Sequence, residues 1–114
     1  YENEDQIKNI KIDKELFDKK NIDPGGVVIT AKGKNSDFVS RYFVPQCSFF
    51  EDPVTGSTHC SLVPYWSKKL GKQKLTSMQL SERGGEMFCI DKGDRVLING
   101  KAQTYSVGKV FLKN

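Results

Sequence analysis

Residues 51–71 read EDPVTGSTHCSLVPYWSKKLG, and they are the strongest indication of the fold in the sequence. Its second part, residues 58–70, is apolar on nearly every side of a helix until Ser67, and a helix that is apolar all round is buried all round. Gly71 suits the C-terminal cap of such a helix. The pattern therefore predicts a buried central helix over 58–70, in which Pro64 removes one hydrogen bond and introduces a kink.

Segments on both sides of this helix have the character of strands. Residues 27–31 are a β-branched apolar run, and residues 37–44 alternate between the two faces of a strand. Three or four more strands are predicted after the helix, at about 74–80, 86–90, 94–99 and 102–112. Lys92-Gly93 predicts one hairpin turn between them, and Asn99-Gly100 predicts another. We therefore expect an α+β fold in which a curled mixed or antiparallel sheet wraps around the central helix.

The first 24 residues differ from the rest of the chain. They are polar, and Asn3 and Asp13 each stand where they would cap a short helix. Residues 23–26, Asp-Pro-Gly-Gly, then predict a turn or linker. We expect a helical lead segment over 1–24 and one continuous domain over 25–114.

Composition and charge limit the class of partner. The 114 residues carry a net charge of +4, with seven acids and five lysines in 1–23 against thirteen bases and seven acids in 24–114. A positive body suits an acidic ligand or a nucleic acid, but no nucleic-acid-binding motif occurs. The lysines at 68, 69, 72 and 74 fit a solvated helix end. No apolar run approaches the roughly 18 residues of a membrane helix. We expect neither a nucleic-acid nor a membrane partner.

The cysteines and the single histidine predict no metal site. Cys47, Cys60 and Cys89 are widely spaced, and His59 is the one histidine, so the usual zinc ligand set is missing. Free thiols are typical of a reducing cytosol, which predicts a cytoplasmic location. Cys60 is either a catalytic thiol stabilised by the helix start or a core residue. His59 is either a hydrogen-bonded packing residue or an acid or base.

The loop that leads into the helix, residues 51–59, has the features of a binding site. Gly56 lets a ligand approach the backbone closely, which a side chain would block. Ser57 can cap the helix, so that several N–H groups point from the helix start toward a carboxylate or phosphate. The same residues fit an ordinary serine N-cap after a loop, and both interpretations stay open.

Several ordered segments carry a resemblance to a known family. They are DFVSRYFVP at 37–45, EDPVTGSTH at 51–59, Tyr65-Trp66, SERGGE at 81–86, GDRV at 93–96 and GKV at 108–110. In this order and spacing, across 26–112, the chain resembles the C-terminal half of the phenazine-biosynthesis PhzF-like isomerases. These enzymes are part of the diaminopimelate-epimerase-like superfamily.

The resemblance implies an enzyme of two halves with its active site in the cleft between them. In the family, the N-terminal half supplies the catalytic glutamate in a Ser-Glu-Thr-like motif, and no such motif occurs in this sequence. We therefore expect this chain alone to be inactive. Its implied partner is the N-terminal half of the same enzyme, or a second copy that forms a homodimer. The sequence begins with Tyr1 rather than Met and shows no leader. Both features fit the expectation that it is a piece of a longer protein.

The resemblance also implies roles for individual residues. Asp52 orients a substrate amine or hydroxyl and assists proton transfer, and the backbone and hydroxyl of Ser57 hold a substrate carboxylate. Asp52 and Ser57 are thus the implied catalytic residues. The implied substrate-binding residues are Gly56, Ser57, Thr58, Arg83 and Gly84.

Two side chains near this loop have alternative interpretations. Arg83 either turns toward the cleft on the flexible Gly84-Gly85 step and binds a carboxylate with both nitrogens, or lies on a surface turn. Glu51 pairs with Arg83 or with Arg41 as structural support.

The predicted function is that of a cofactor-independent isomerase. It shifts a proton next to the carboxylate of a small metabolite, and no metal or organic cofactor is required. The alternative is a non-catalytic binding or adaptor protein that keeps the fold.

Overall fold

The computed structural model describes residues 1–19 and 25–112 of the chain. Within this part, the helices are α1 (Glu4–Asn9), α2 (Lys14–Asp18) and α3 (Gly56–Leu70). The strands are β1 (Val27–Lys32), β2 (Phe38–Phe43), β3 (Glu51–Asp52), β4 (Lys74–Gln79), β5 (Gly85–Asp91) and β6 (Val96–Gly100). The predicted turn at 23–26 lies partly outside the described residues.

The strands form one mixed, open sheet in the order β1-β2-β4-β5-β6, and β3 pairs with β2 outside this path. All neighbours are antiparallel except β2 and β4, which run parallel with Ser40 opposite Gln79. Parallel strands need a long crossover, and α3 lies in the connection between these two. The predicted α+β class is confirmed.

α3 packs on one face of the sheet. Because side chains alternate along a strand, every second residue of the central strands points at this helix. The Phe38 ring stacks on Trp66 at 5.8 Å between centroids, and Trp66 Nε1 donates to Thr30 Oγ1 at 2.9 Å. The buried cluster consists of Phe38, Leu62, Val63, Trp66, Leu75, Met87 and Cys89. This core fixes α3 against the sheet.

The lead segment covers part of the opposite face. Asn3 and Asp13 accept bonds from the backbone N–H groups of Gln6 and Leu16, at 3.0 and 3.1 Å, so both predicted helix caps are confirmed. Ile7 of α1 is fully buried. It packs in a second core cluster with Ile29, Ala31, Val39 and Phe43.

α3 departs from the prediction in its start and in its burial. It begins at Gly56 rather than at residue 58, runs unbroken through Pro64, and ends at Gly71 in the left-handed conformation as predicted, with φ of 67°. It is not buried all round, because the open sheet covers only one of its faces. Cys60 and Tyr65 are exposed on the other face, so the prediction of Cys60 as a core residue is wrong.

The last predicted strand is also wrong. Asn99 and Gly100 make no hairpin turn, since they belong to β6 and stand opposite Phe88 and Met87 of β5. Residues 101–112 form no strand and are exposed along their whole length. A turn signal produces a hairpin only where the following residues find a partner, and within the described residues these find none. The turn at Lys92-Gly93 is confirmed, with φ of 85° at Gly93.

No helix among the described residues is long and apolar enough to cross a membrane.

Candidate functional site

β3 places the two carboxylates of the loop beside the end of β2. Its pairing sets Asp52 opposite Tyr42 and Glu51 opposite Phe43. Glu51 is held by Arg41, whose Nε and Nη2 donate to the two carboxylate oxygens at 2.6 and 2.8 Å. This bond raises the pKa of the Arg41 guanidinium, and burial opposes the rise. Of the two predicted partners of Glu51, the structure selects Arg41.

Asp52 is fixed by a network centred on two side chains that the sequence analysis missed. Thr55 Oγ1 donates to Asp52 Oδ2 at 2.5 Å. Gln79 Nε2 donates to Asp52 O at 2.7 Å and to Thr55 Oγ1 at 3.0 Å, while its Oε1 accepts from Thr55 N at 2.8 Å. Gln79 is fully buried and Thr55 nearly so, whereas Asp52 is half-buried. One signal in the sequence could have identified Gln79: it is a polar residue at a position of its strand that the alternation of side chains predicts to be buried.

The start of α3 presents backbone donors to open space. Thr55, not Ser57, is the N-cap residue, because the helix begins two residues earlier than predicted. Its side chain makes no capping bond, since its hydroxyl is used on Asp52. The N–H groups of the first turn have no acceptor inside a helix. Gly56 and Ser57 are exposed, and a Cβ built on Gly56 would meet no atom within 4 Å.

Thr58 is less free than its position suggests. Its hydroxyl donates to the carbonyl oxygen of Thr55 at 2.9 Å. Within the first turn, the hydroxyl of Ser57 is therefore the one that remains exposed, and Thr58 offers its backbone N–H.

The loop between β4 and β5 brings Arg83 and Gly84 to the loop of Asp52. Ser81 Oγ donates to the carbonyl of Pro53 at 2.7 Å and accepts from Gly84 N at 3.1 Å. Gly84 has a φ of 70°, which favours glycine. Arg83 is exposed and lines two cavities of about 620 and 420 Å³, which also contact Pro53 and Val54 respectively.

His59 is a buried packing residue. It is 0% exposed, its Nδ1 lies 2.8 Å from Thr55 O, and its Nε2 lies 2.9 Å from Ser77 Oγ. A carbonyl only accepts, so Nδ1 carries the proton and the Ser77 hydroxyl donates to Nε2. Burial lowers the pKa of His59, and the bond to Thr55 partly opposes this. Of the two sequence interpretations, the structure supports the packing residue.

The thiols divide by exposure. Cys60 is exposed on the outer face of α3, and Cys89 is buried in the core, where desolvation raises its pKa to about 11. Among residues 1–19 and 25–112, no group of three or more histidine, cysteine or carboxylate side chains is placed to hold a metal ion.

Comparison with known proteins identifies relatives of this chain. Residues 2–108 match the family model described as phenazine biosynthesis-like protein, PhzC-PhzF. An uncharacterized isomerase of Pseudomonas aeruginosa is 52% identical over 87 residues, covering 76% of this chain and 33% of the relative. A phenazine biosynthesis-like domain-containing protein of Mus musculus is 48% identical over 84 residues, covering 68% of this chain and 29% of the relative.

A solved structure gives the same relationship in three dimensions. The crystal structure of an Enterococcus faecalis phenazine biosynthesis protein of the PhzF family superposes with a TM-score of 0.82 at 40% identity. The match covers 97% of this chain and 42% of that chain. This chain therefore spans about a third of the length of the curated relatives and less than half of the solved one.

Proposed function

Because the chain belongs to the phenazine biosynthesis-like PhzC-PhzF family, whose bacterial relatives are named isomerases, we propose that it forms one wall of an isomerase active site. The reaction is a proton shift in a small metabolite that carries a carboxylate, and it proceeds without a cofactor. This chain binds and orients the substrate. The proton-transferring glutamate lies on the other wall, in the N-terminal half of the same enzyme or in a second copy.

The observation that carries this proposal is the open helix start beside a fixed carboxylate. Three backbone N–H groups without helical acceptors, at Gly56, Ser57 and Thr58, point out of the positive end of α3. Such a helix start attracts a carboxylate, and the same donors stabilise negative charge that develops during proton removal. The Ser57 hydroxyl adds one more donor at this end.

Asp52 binds a group of the opposite kind, a hydrogen-bond donor of the substrate. The Asp52 carboxylate lies a few residues before the helix start and binds an amine or hydroxyl of the substrate. The helix start binds the carboxylate of the substrate. Arg83 and Gly84, whose loop is tied to Pro53 through Ser81, close the side of the site. The proposed substrate therefore carries an anionic group and a hydrogen-bond donor a few atoms apart. A reducing, cytoplasmic setting fits the three free cysteines.

A titration of the isotope-labelled chain with propionate tests carboxylate binding. We expect saturable shifts at the backbone amides of Gly56, Ser57 and Thr58, at millimolar concentration. Ser57→Ala should weaken the binding several-fold, because it removes the hydroxyl donor. Ser61→Ala is the matched control, since Ser61 is an exposed serine of the same helix, one turn further on. Shifts that do not saturate, or equal losses in both variants, would contradict the proposal.

A non-catalytic binding protein of this fold is the second candidate. The Ser-Glu-Thr-like motif of the resemblance is not among the 114 residues, which favours a role limited to binding for this chain by itself. The coding sequence that precedes Tyr1 separates the two candidates. A Ser-Glu-Thr-type motif there supports the isomerase, and its replacement supports the binding protein.

A further inference from the structure

We propose that Gln79 and Thr55 are positioning residues that hold the Asp52 carboxylate in one orientation, with Oδ2 occupied and Oδ1 free for the substrate. The inference rests on the proposed role of Asp52 in substrate binding. Neither residue touches the substrate. Each acts through Asp52, and the two act as one unit.

The side-chain hydrogen bonds form a chain from Gln79 through the Thr55 hydroxyl to Asp52. Gln79 Nε2 donates to Thr55 Oγ1 at 3.0 Å, so the hydroxyl oxygen is already an acceptor. The single hydroxyl proton of Thr55 is then directed at Asp52 Oδ2, at 2.5 Å. A hydroxyl rotates freely unless its neighbours fix it, and here a buried amide does so. Gln79 thus determines where the Thr55 proton points.

The same glutamine also fixes the backbone on both sides of the turn. Its Nε2 donates to Asp52 O at 2.7 Å, and its Oε1 accepts from Thr55 N at 2.8 Å. The amide therefore bridges the residue that carries the carboxylate and the residue that begins the helix. The distance between the carboxylate and the helix start is set by this bridge.

Burial makes the arrangement rigid and specific. Gln79 is 0% exposed at the end of central strand β4, and Thr55 is 6% exposed. A buried amide without partners is costly, and here each polar atom of Gln79 bonds to the Asp52–Thr55 turn. A leucine at this position would fit the alternation of β4, as Leu75 does, but would hold nothing in that turn.

The free oxygen is the functional consequence. Among the described residues, Oδ2 of Asp52 has a hydrogen-bond donor and no bond reaches Oδ1. The bond to Oδ2 favours one orientation of the carboxylate. Oδ1 is then presented to a substrate amine or hydroxyl at a fixed distance from the donors at Gly56 and Ser57.

Three substitutions test the positioning without a ligand. Thr55→Val keeps the shape and removes the hydroxyl, Thr55→Ser keeps the hydroxyl, and Gln79→Glu keeps the shape and replaces the amide donor with a carboxylate oxygen. Three-bond NMR couplings to Asp52 Cγ report its χ1 rotamer. We expect one rotamer in the wild type and in Thr55→Ser, and averaged couplings in Thr55→Val and Gln79→Glu. A single rotamer in a folded Thr55→Val variant would overturn the inference. Should that variant unfold, the couplings of Gln79→Glu decide in the same way.

A binding ratio separates this inference from the proposed function. β-Alanine carries a carboxylate and an amine, and propionate carries the carboxylate alone. We expect the affinity for β-alanine relative to that for propionate to fall about tenfold in Asp52→Asn and at least about threefold in Thr55→Val. In Thr55→Ser this ratio should stay near that of the wild type. An unchanged ratio in Asp52→Asn contradicts the proposed role of Asp52. A loss in Asp52→Asn with none in Thr55→Val contradicts only the positioning.

Discussion

His59 and Cys60 are neighbours on α3, yet the sheet buries one and leaves the other in solvent. Successive residues of a helix point about 100° apart, so a helix packed on one side alternates between the two environments within a few residues. His59 faces Ser77 of β4, and Cys60 faces away from the sheet. The chemistry of each group follows from this difference, not from its position in the sequence.

The buried imidazole predicts a pH-dependent stability. The pKa of His59 in the folded state lies below its ordinary value of 6.5, because burial disfavours the charged form. The unfolded chain therefore binds the proton first as the pH falls, and the free energy of unfolding decreases below about pH 6.5. We expect the urea midpoint, read from Trp66 fluorescence, to be lower at about pH 5.5 than at about pH 7.5.

His59→Gln is the control for this pH effect. It keeps a polar side chain at the site and removes the titrating group, so its urea midpoint should change little across the same range. An equal decrease in both proteins would assign the effect to another group.

The thiols predict selective labelling. An exposed thiol reacts through its thiolate, whereas Cys89 is 2% exposed and its pKa is raised to about 11. In the folded chain at about pH 8, we expect a chromogenic disulfide reagent to modify Cys60 quickly and Cys89 only after denaturation. Cys60→Ser should remove the fast phase. Because Cys47 is half-buried, both experiments use a Cys47→Ser background, in which a fast phase that survives Cys60→Ser would contradict the exposure of Cys60.

At the scale of elements, the site depends on two loops that lie against each other. The loop after β3 carries Val54, and the first residue of β5 is Gly85, which stands where a Cβ would collide with the Val54 side chain. Ser81 and Pro53 share a hydrogen bond in the same contact. Small size at Gly85 therefore lets the β4–β5 loop approach the Asp52 turn.

This close approach predicts a compensating pair of substitutions. Gly85→Ala should destabilise the chain by about 2 kcal/mol, because overpacking a filled contact forces its neighbours to shift. Val54→Ala should recover most of this loss when the two are combined, and urea unfolding measures both. Gly100→Ala is the matched control, since a Cβ there meets no atom within 4 Å. Additive losses from Gly85→Ala and Val54→Ala would contradict the contact.

At the scale of the whole molecule, different helices cover the two faces of the sheet, and the edge at β6 is less covered than the edge at β1. α3 covers one face, and α1 covers the opposite face over β1 and β2. Phe88 and Leu97 remain partly exposed near edge strand β6. Residues 101–112 carry large apolar side chains that are almost fully exposed: Tyr105, Val107, Val110, Phe111 and Leu112. Such a surface favours association with another polypeptide.

Removal of residues 102–114 tests this view of the molecule. The described part of this segment is exposed throughout, so we expect the truncated chain to keep the urea midpoint of the full chain. We also expect sedimentation to show self-association of the full chain at high micromolar concentration and its loss on truncation. A full chain that stays monomeric would contradict the homodimer, and a lower midpoint would show that the segment packs on the domain.

The features that depend on near neighbours along the chain could be predicted from the sequence. Each of these features follows from the conformational preferences of a few adjacent residues. They are the caps at Asn3 and Asp13, the helix end at Gly71, the strands around 27–31 and 37–44, and the turn at Lys92-Gly93. The ordered segments from 37–45 to 108–110 likewise indicated the family, which the family match over residues 2–108 confirms. The site at Asp52–Ser57 stays a prediction.

Which side chains meet depends on the packing of the whole chain. Gln79 lies 24 residues from Thr55, and no local pattern indicates this bond. For Glu51 the sequence left two candidate partners, Arg41 and Arg83, and the folded chain places Arg41 against it. The exposure of Cys60 depends on how much of α3 the sheet covers. In the same way, residues 101–112 form no strand because β6 is the last strand of the sheet in the described part of the chain. Burial and long-range pairing are properties of the packed chain, and for this reason they appear only when all its elements are in place.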